Sequence, residues 1–126
     1  MRIPERESVG GAVKQPNRRR CARYHTNLLL RVRASPEHDL DGSCVVISEG
    51  GLTGILPKAI SIGFAVELRF VLHGLGRVIE VPALIRSLRD IHHGFEFVSL
   101  TESDRMALRQ FCNGLSIQSD HRHRNS

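Results

Sequence analysis

A chain of 126 residues, 40% hydrophobic and 25% charged, has room for one ordinary globular core and is too apolar to be disordered throughout. Its formal charge of +5 and pI near 9.9 point to an anionic partner, either a polyanion or a phosphate-bearing small molecule. Cys21, Cys44 and Cys112 are widely spaced with no CxxC pair, which argues against a disulfide framework or a zinc site and fits a reducing cytoplasm.

Residues 1–17 mix Gly, Pro and charge without periodicity and are expected to form a flexible arm. The N-terminus lacks the apolar stretch of a signal peptide, and no run of about 18 apolar residues follows, so the expectation is a soluble, cytoplasmic protein without membrane insertion. The basic run Arg18-Arg19-Arg20-Cys21-Ala22-Arg23 comes next, and from Tyr24 the chain turns to short alternating segments. Leu28, Leu30 and Val32 share one face of a first strand, with Arg31 and Arg33 on the other. SPEHDLDG reads as a turn-rich loop in which Asp39 and Asp41 serve turn formation, and SCVVIS as a second strand running into the Glu49-Gly50-Gly51 turn. LTGILP is a short third strand. Val66, Leu68, Phe70 and Leu72 define a fourth, and residues 78–88 a long fifth in which Pro82 suggests a bulge or an edge. His92-His93-Gly94 reads as a turn whose two imidazoles point to opposite faces, followed by a sixth strand with Phe95 and Phe97 inward and Glu96 outward.

Thr101, with Asp104 three residues on, resembles a capping box ahead of Leu108, Phe111, Cys112 and Leu115 at helical spacing. Asn113-Gly114 is the expected stop, and residues 116–126 are expected to be a disordered tail whose His121 and His123 carry no metal site. The predicted fold is therefore all-β: a six-stranded antiparallel barrel over residues 18–115, closed by one C-terminal helix.

Two segments carry candidate chemistry. Arginines spaced four apart where a flexible arm meets a rigid barrel can grip phosphate oxygens or the O6/N7 edge of guanine with their planar forks of donors, although a basic run alone also reads as a solvated stretch. Sixteen of the eighteen basic residues are Arg, a bias that suits such contacts and that a GC-rich genome produces equally well. Ser48-Glu49-Gly50-Gly51 offers a hydroxyl and close-approaching backbone at a strand end, and is equally a common hairpin turn.

Taken together and in this order, the segments resemble the PilZ family, whose signature is RxxxR before the first strand followed by (D/N)xSxxG on the next strand pair. Arg19 and Arg23 match the first motif, extended by Arg18 and Arg20; Ser48 and Gly51 match the second, with Val46 where an acid or amide is expected. The strand pattern, GFEF at 94–97 and the helix sit where the family's later elements would, so the resemblance covers about residues 18–113.

The resemblance implies a non-catalytic receptor for cyclic di-GMP, often bound as an intercalated pair, with no further cofactor or metal. Arg19 and Arg23 would hold phosphate and guanine acceptors, Arg18 or Arg20 would reach a second nucleotide, Ser48 would hydrogen-bond the ligand and Gly51 would keep the turn open. Val46 removes the acceptor that faces guanine N1 and N2, so the second motif is degenerate. Ser87 occupies the place where the family often stacks an aromatic, with Arg86 or Arg89 as substitutes. No nucleophile and base arrangement or phosphate-cradling loop accompanies these residues. Three readings follow: a bacterial second-messenger receptor that relays cyclic di-GMP to an effector protein; an adaptor that has lost the ligand; and a nonspecific nucleic-acid binder, against which the scarcity of aromatics argues.

Overall fold

The computed structural model describes residues 22–115, so the expected arm over 1–17 and tail over 116–126, with Arg18, Arg19 and Arg20, lie outside the described residues. Six strands, β1 (Tyr24–Ser35), β2 (His38–Ile47), β3 (Gly51–Ile55), β4 (Ala65–Leu72), β5 (Arg77–Arg89) and β6 (His92–Phe97), precede one helix, α1 (Glu102–Gly114). All pairings are antiparallel, and the strands close in the order β1-β2-β3-β6-β5-β4, with β4 returning to β1. Closure leaves no edge for a second chain to extend.

Alternation fills the interior. Leu28, Leu30 and Val32 from β1, Val66, Leu68, Phe70 and Leu72 from β4, Ile79, Val81, Ala83 and Ile85 from β5, and Phe95 and Phe97 from β6 are all buried. Each of these Val, Leu, Ile and Phe side chains removed from water stabilises the fold by about 1.5–3 kcal/mol before entropy is counted. Phe70 stacks on Phe97 with ring centroids 6.2 Å apart.

The helix begins as its capping signal predicts: Thr101 Oγ1 accepts from Asp104 N at 3.0 Å. The Asp104 carboxylate does not complete the box by reaching back to the cap, and instead accepts from Arg77 at 2.7 Å, tying the helix start to β5. Ala107, Leu108, Phe111 and Cys112 join the barrel core, and Leu115 packs on it from beyond the helix end.

Three expectations require correction. The segment read as a loop is mostly strand: β2 begins at His38, and Asp39 and Asp41 pair across to Arg33 and Arg31 at 3.1 and 2.9 Å rather than shaping a turn. Cross-strand charge pairing overrides the turn preference of aspartate there. No bulge occurs at Pro82, which holds register opposite Glu67. Its carbonyl accepts from Val98 N at 2.8 Å just past the end of β6, the side on which the missing N–H would have pointed, so the bond that proline forgoes lies beyond the β6 ladder. His92 and His93 belong to β6, and the turn is made by Asp90, at φ 57°, with Ile91. The opposed faces of the two histidines are as expected: His92 is exposed and His93 fully buried. His93 Nε2 accepts from Ile60 N at 2.9 Å while Nδ1 donates to Ile91 O at 3.0 Å, which fixes the neutral tautomer; burial lowers its pKa from the ordinary 6.5.

Candidate ligand-binding site

Three of the four register shifts in the barrel cluster at one place: between His25 and Leu28 on β1, Cys44 and Val46 on β2, and Ile85 and Ser87 on β5. Bulges re-aim side chains, and here the result can be followed by residue. Cys44 and Ile47 are both buried although three apart, which an unbroken strand forbids; Val45 takes up the extra residue and leaves Val46 and Ser48 on the outer face. Cys44 Sγ donates to the Val46 carbonyl at 3.5 Å across this kink. On β5 the extra residue is Arg86, so Arg86 and Ser87 are both exposed after the buried Ile85.

The shifts on β2 and β5 border a cleft of about 740 Å³ on the outside of the barrel. That is within the range of about 300–1,000 Å³ usual for small-molecule sites. Arg23, just ahead of β1, Val46 on β2 and Ser48, just past its end, line one side, and Arg86, Ser87 and Glu96 line the other from β5 and β6. Its floor is paved with small residues, since Gly51 lies opposite Glu96 and Gly94 lies between Thr53 and Ser87. A Cβ on Gly94 would come within 2.2 Å of Ser87 Oγ, so that hydroxyl leans over the glycine.

Ser48 is largely occupied by its own turn. Its N–H donates to Gly51 O at 2.9 Å, its hydroxyl donates to the same oxygen at 3.3 Å, and it accepts from Gly50 N at 3.2 Å. One acceptor lone pair remains to face the cleft. Close approach holds position 51 to glycine: a Cβ there would lie 2.1 Å from Phe95 O. In the same turn, Glu49 accepts from Arg109 of α1 through both nitrogens, at 3.2 and 3.3 Å. That hydrogen bond, then the charge of Glu49, raises the pKa of Arg109. Arg86 Nε contacts Glu96 Oε1 at 2.6 Å, with both side chains more than half exposed.

The structure thus gathers Arg23, Val46, Ser48, Gly51 and Ser87 around one cleft, and brings Arg86 to it in place of Arg89. Glu96 was readable from the sequence only as an outward acid; its place in the cleft depends on β6 pairing with the Gly51 strand, which no motif announces. Among the described residues no cluster of His, Cys, Asp and Glu could hold a metal ion. Burial pushes the Cys44 thiol up to about 12 and the Cys112 thiol up to about 11, so neither supplies a thiolate. Nor is any helix among the described residues long and apolar enough to cross a membrane.

A sequence model of the PilZ domain matches residues 17–114. The chain belongs to the PilZ domain family. The family is one of non-catalytic cyclic di-GMP receptors. No curated protein matches the chain in sequence. The barrel is similar to the PilZ domain with cyclic di-GMP of YcgR from Escherichia coli, at 14% identity and TM-score 0.69 over 86% of this chain and 99% of that one. It is also similar to the Bacillus subtilis inhibitor of motility MotI/DgrA, at 22% identity and TM-score 0.66 over 73% of this chain and 48% of that one. The PilZ domain of CeSA from a cellulose-synthesizing bacterium aligns at 19% identity and TM-score 0.58 over 73% of this chain and 95% of that one. This chain therefore spans about half the length of the Bacillus protein, and these likenesses establish the fold.

Proposed function

We propose that this PilZ domain binds cyclic di-GMP in the outer cleft and passes the signal to a partner protein. The observation that supports this reading best is the meeting of Arg23, Ser48 and Gly51, residues of two separate motifs, around one cleft of about 740 Å³. Arg23 enters from just ahead of β1, where Arg18, Arg19 and Arg20 precede it in the chain, so guanidinium forks can close on the two phosphates and on guanine N7 and O6. A ligand that binds the closed arrangement better than the open one shifts the population toward it, and the rebuilt surface is what a partner would read.

Val46 favours a second reading, an adaptor that no longer takes the ligand. Valine offers no acceptor, and an unmet buried donor on guanine costs about 1–3 kcal/mol, or one to two decades of affinity. Binding is accordingly expected at micromolar strength or weaker. Isothermal titration with cyclic di-GMP separates the two readings: the receptor gives heat that the Arg19→Ala, Arg23→Ala double variant abolishes. Absence of heat from the unaltered protein at high ligand concentration eliminates the receptor.

A further inference from the structure

Val46 stands where the resemblance leads one to expect an acid or amide in the second motif, yet the cleft holds a carboxylate. Glu96 on β6 is the one acidic side chain among the described residues that line it. The neighbouring acid, Glu49, is turned away from the cleft onto Arg109 of α1. Glu96 on β6 stands directly opposite the motif glycine on β3, since Gly51 is its register partner, and Gly51 and Gly94 put no side chain between the carboxylate and the rest of the cleft floor.

Arg86 holds it there. The 2.6 Å contact from Nε engages one oxygen, and Arg86 owes its outward position to the bulge that follows Ile85. A carboxylate has two oxygens and about four acceptor positions, so one arginine bond leaves ample capacity for two further donors. The N1–H and exocyclic N2–H₂ of guanine present two donors side by side, the geometry a carboxylate accepts.

We infer that Glu96, positioned by Arg86, supplies the guanine-edge acceptor that Val46 no longer provides, so that base selectivity has moved from β2 to β6. This rests on the cyclic di-GMP reading above. It explains how the cleft can discriminate guanine although its motif acid is gone, and it makes the Arg86–Glu96 pair a specificity element rather than an ordinary surface ion pair.

The test is titration of the protein, and of its Glu96→Gln and Arg86→Ala variants, with cyclic di-GMP and with cyclic di-inosine monophosphate, which keeps N1–H and lacks the exocyclic amine. The unaltered protein should prefer the guanine ligand by about tenfold or more, the value of one charge-assisted hydrogen bond. Glu96→Gln should weaken cyclic di-GMP by about 10- to 100-fold and erase the preference. Arg86→Ala, which keeps the carboxylate, should weaken binding while retaining the preference. Adding Val46→Asp to Glu96→Gln should restore both. Unchanged cyclic di-GMP affinity and selectivity in Glu96→Gln, with the unaltered protein binding normally, overturns the role of Glu96 and leaves the receptor reading standing. Failure of the unaltered protein to bind either ligand removes both. Glu96 is exposed, so the variants should keep the thermal melt of the parent, and the ratio between ligands is insensitive to any general loss of fold.

Discussion

Replacing Gly51 with alanine isolates what that motif glycine does. The added Cβ would meet Phe95 O at 2.1 Å, Phe95 C at 3.1 Å and Glu96 Cα at 3.3 Å. The first contact is more than 1 Å inside a close carbon–oxygen contact of about 3.3 Å. All three atoms are backbone, and β6 is laddered on both sides, to β3 and to β5, so no rotamer change can relieve the clash. Overpacking of this kind costs about 1–3 kcal/mol, and the rigidity of the obstacle places Gly51→Ala in the upper half, a fall in melting temperature of about 10–20 °C for a domain of this size. Circular dichroism melts measure it directly. Gly114→Ala is the matched control: nothing lies within 4 Å of its would-be Cβ, and it sits in the last turn of α1, so the same methyl should leave stability unchanged or slightly raised. Equal melting temperatures for Gly51→Ala and the parent would refute the close-approach account.

Val46→Asp should strengthen cyclic di-GMP binding by about 10- to 100-fold in the Glu96→Gln background, where the guanine donors are unmet, and by much less in the otherwise unaltered protein, read by titration calorimetry; no gain in either background would show that this position is not limiting. Ser87→Trp should place an indole in the cleft beside Gly94, which leaves room for it, and add about 1–3 kcal/mol of stacking per base. The chain contains no Trp, so quenching of the new fluorescence reports occupancy without background. Neutral His93 in the core predicts acid sensitivity. Its folded pKa lies below 6.5, so the unfolded chain takes up the proton first, and the stability is complete above pH 6.5 and declines as pH falls toward the lowered folded value, by at most about 1.4 kcal/mol per pH unit. Urea midpoints at pH 7.5 and 5.5 should converge in His93→Gln relative to the parent.

Much of the barrel is legible because its strands alternate cleanly. Leu28, Leu30 and Val32, the four inward residues of β4 and the helix cap at Thr101 follow from period and spacing alone. The bulges do not: Val45, Val46 and Ile47 are all apolar, so a one-residue slip leaves no trace in the pattern. His92-His93 reads as a turn because nothing local reveals that the amide of Ile60, thirty-three residues away, needs an acceptor in the core. Asp39 and Asp41 mislead for the same reason, their partners being on the preceding strand. The cleft divides likewise. Arg23, Ser48 and Gly51 are visible as motifs, while Arg86 and Glu96 enter only through the register of β5 and β6.

Every wall of the cleft is one residue from the hydrophobic interior: Ser48 follows buried Ile47, Arg86 follows buried Ile85, and Glu96 stands between buried Phe95 and Phe97. Side chains facing outward can therefore be exchanged freely, whereas shifting the peptide that carries them would drag on packed neighbours and on a hydrogen-bonded ring without a free end. Such a scaffold behaves as an anvil: new chemistry is acquired by changing its surface, while the ring beneath keeps its register.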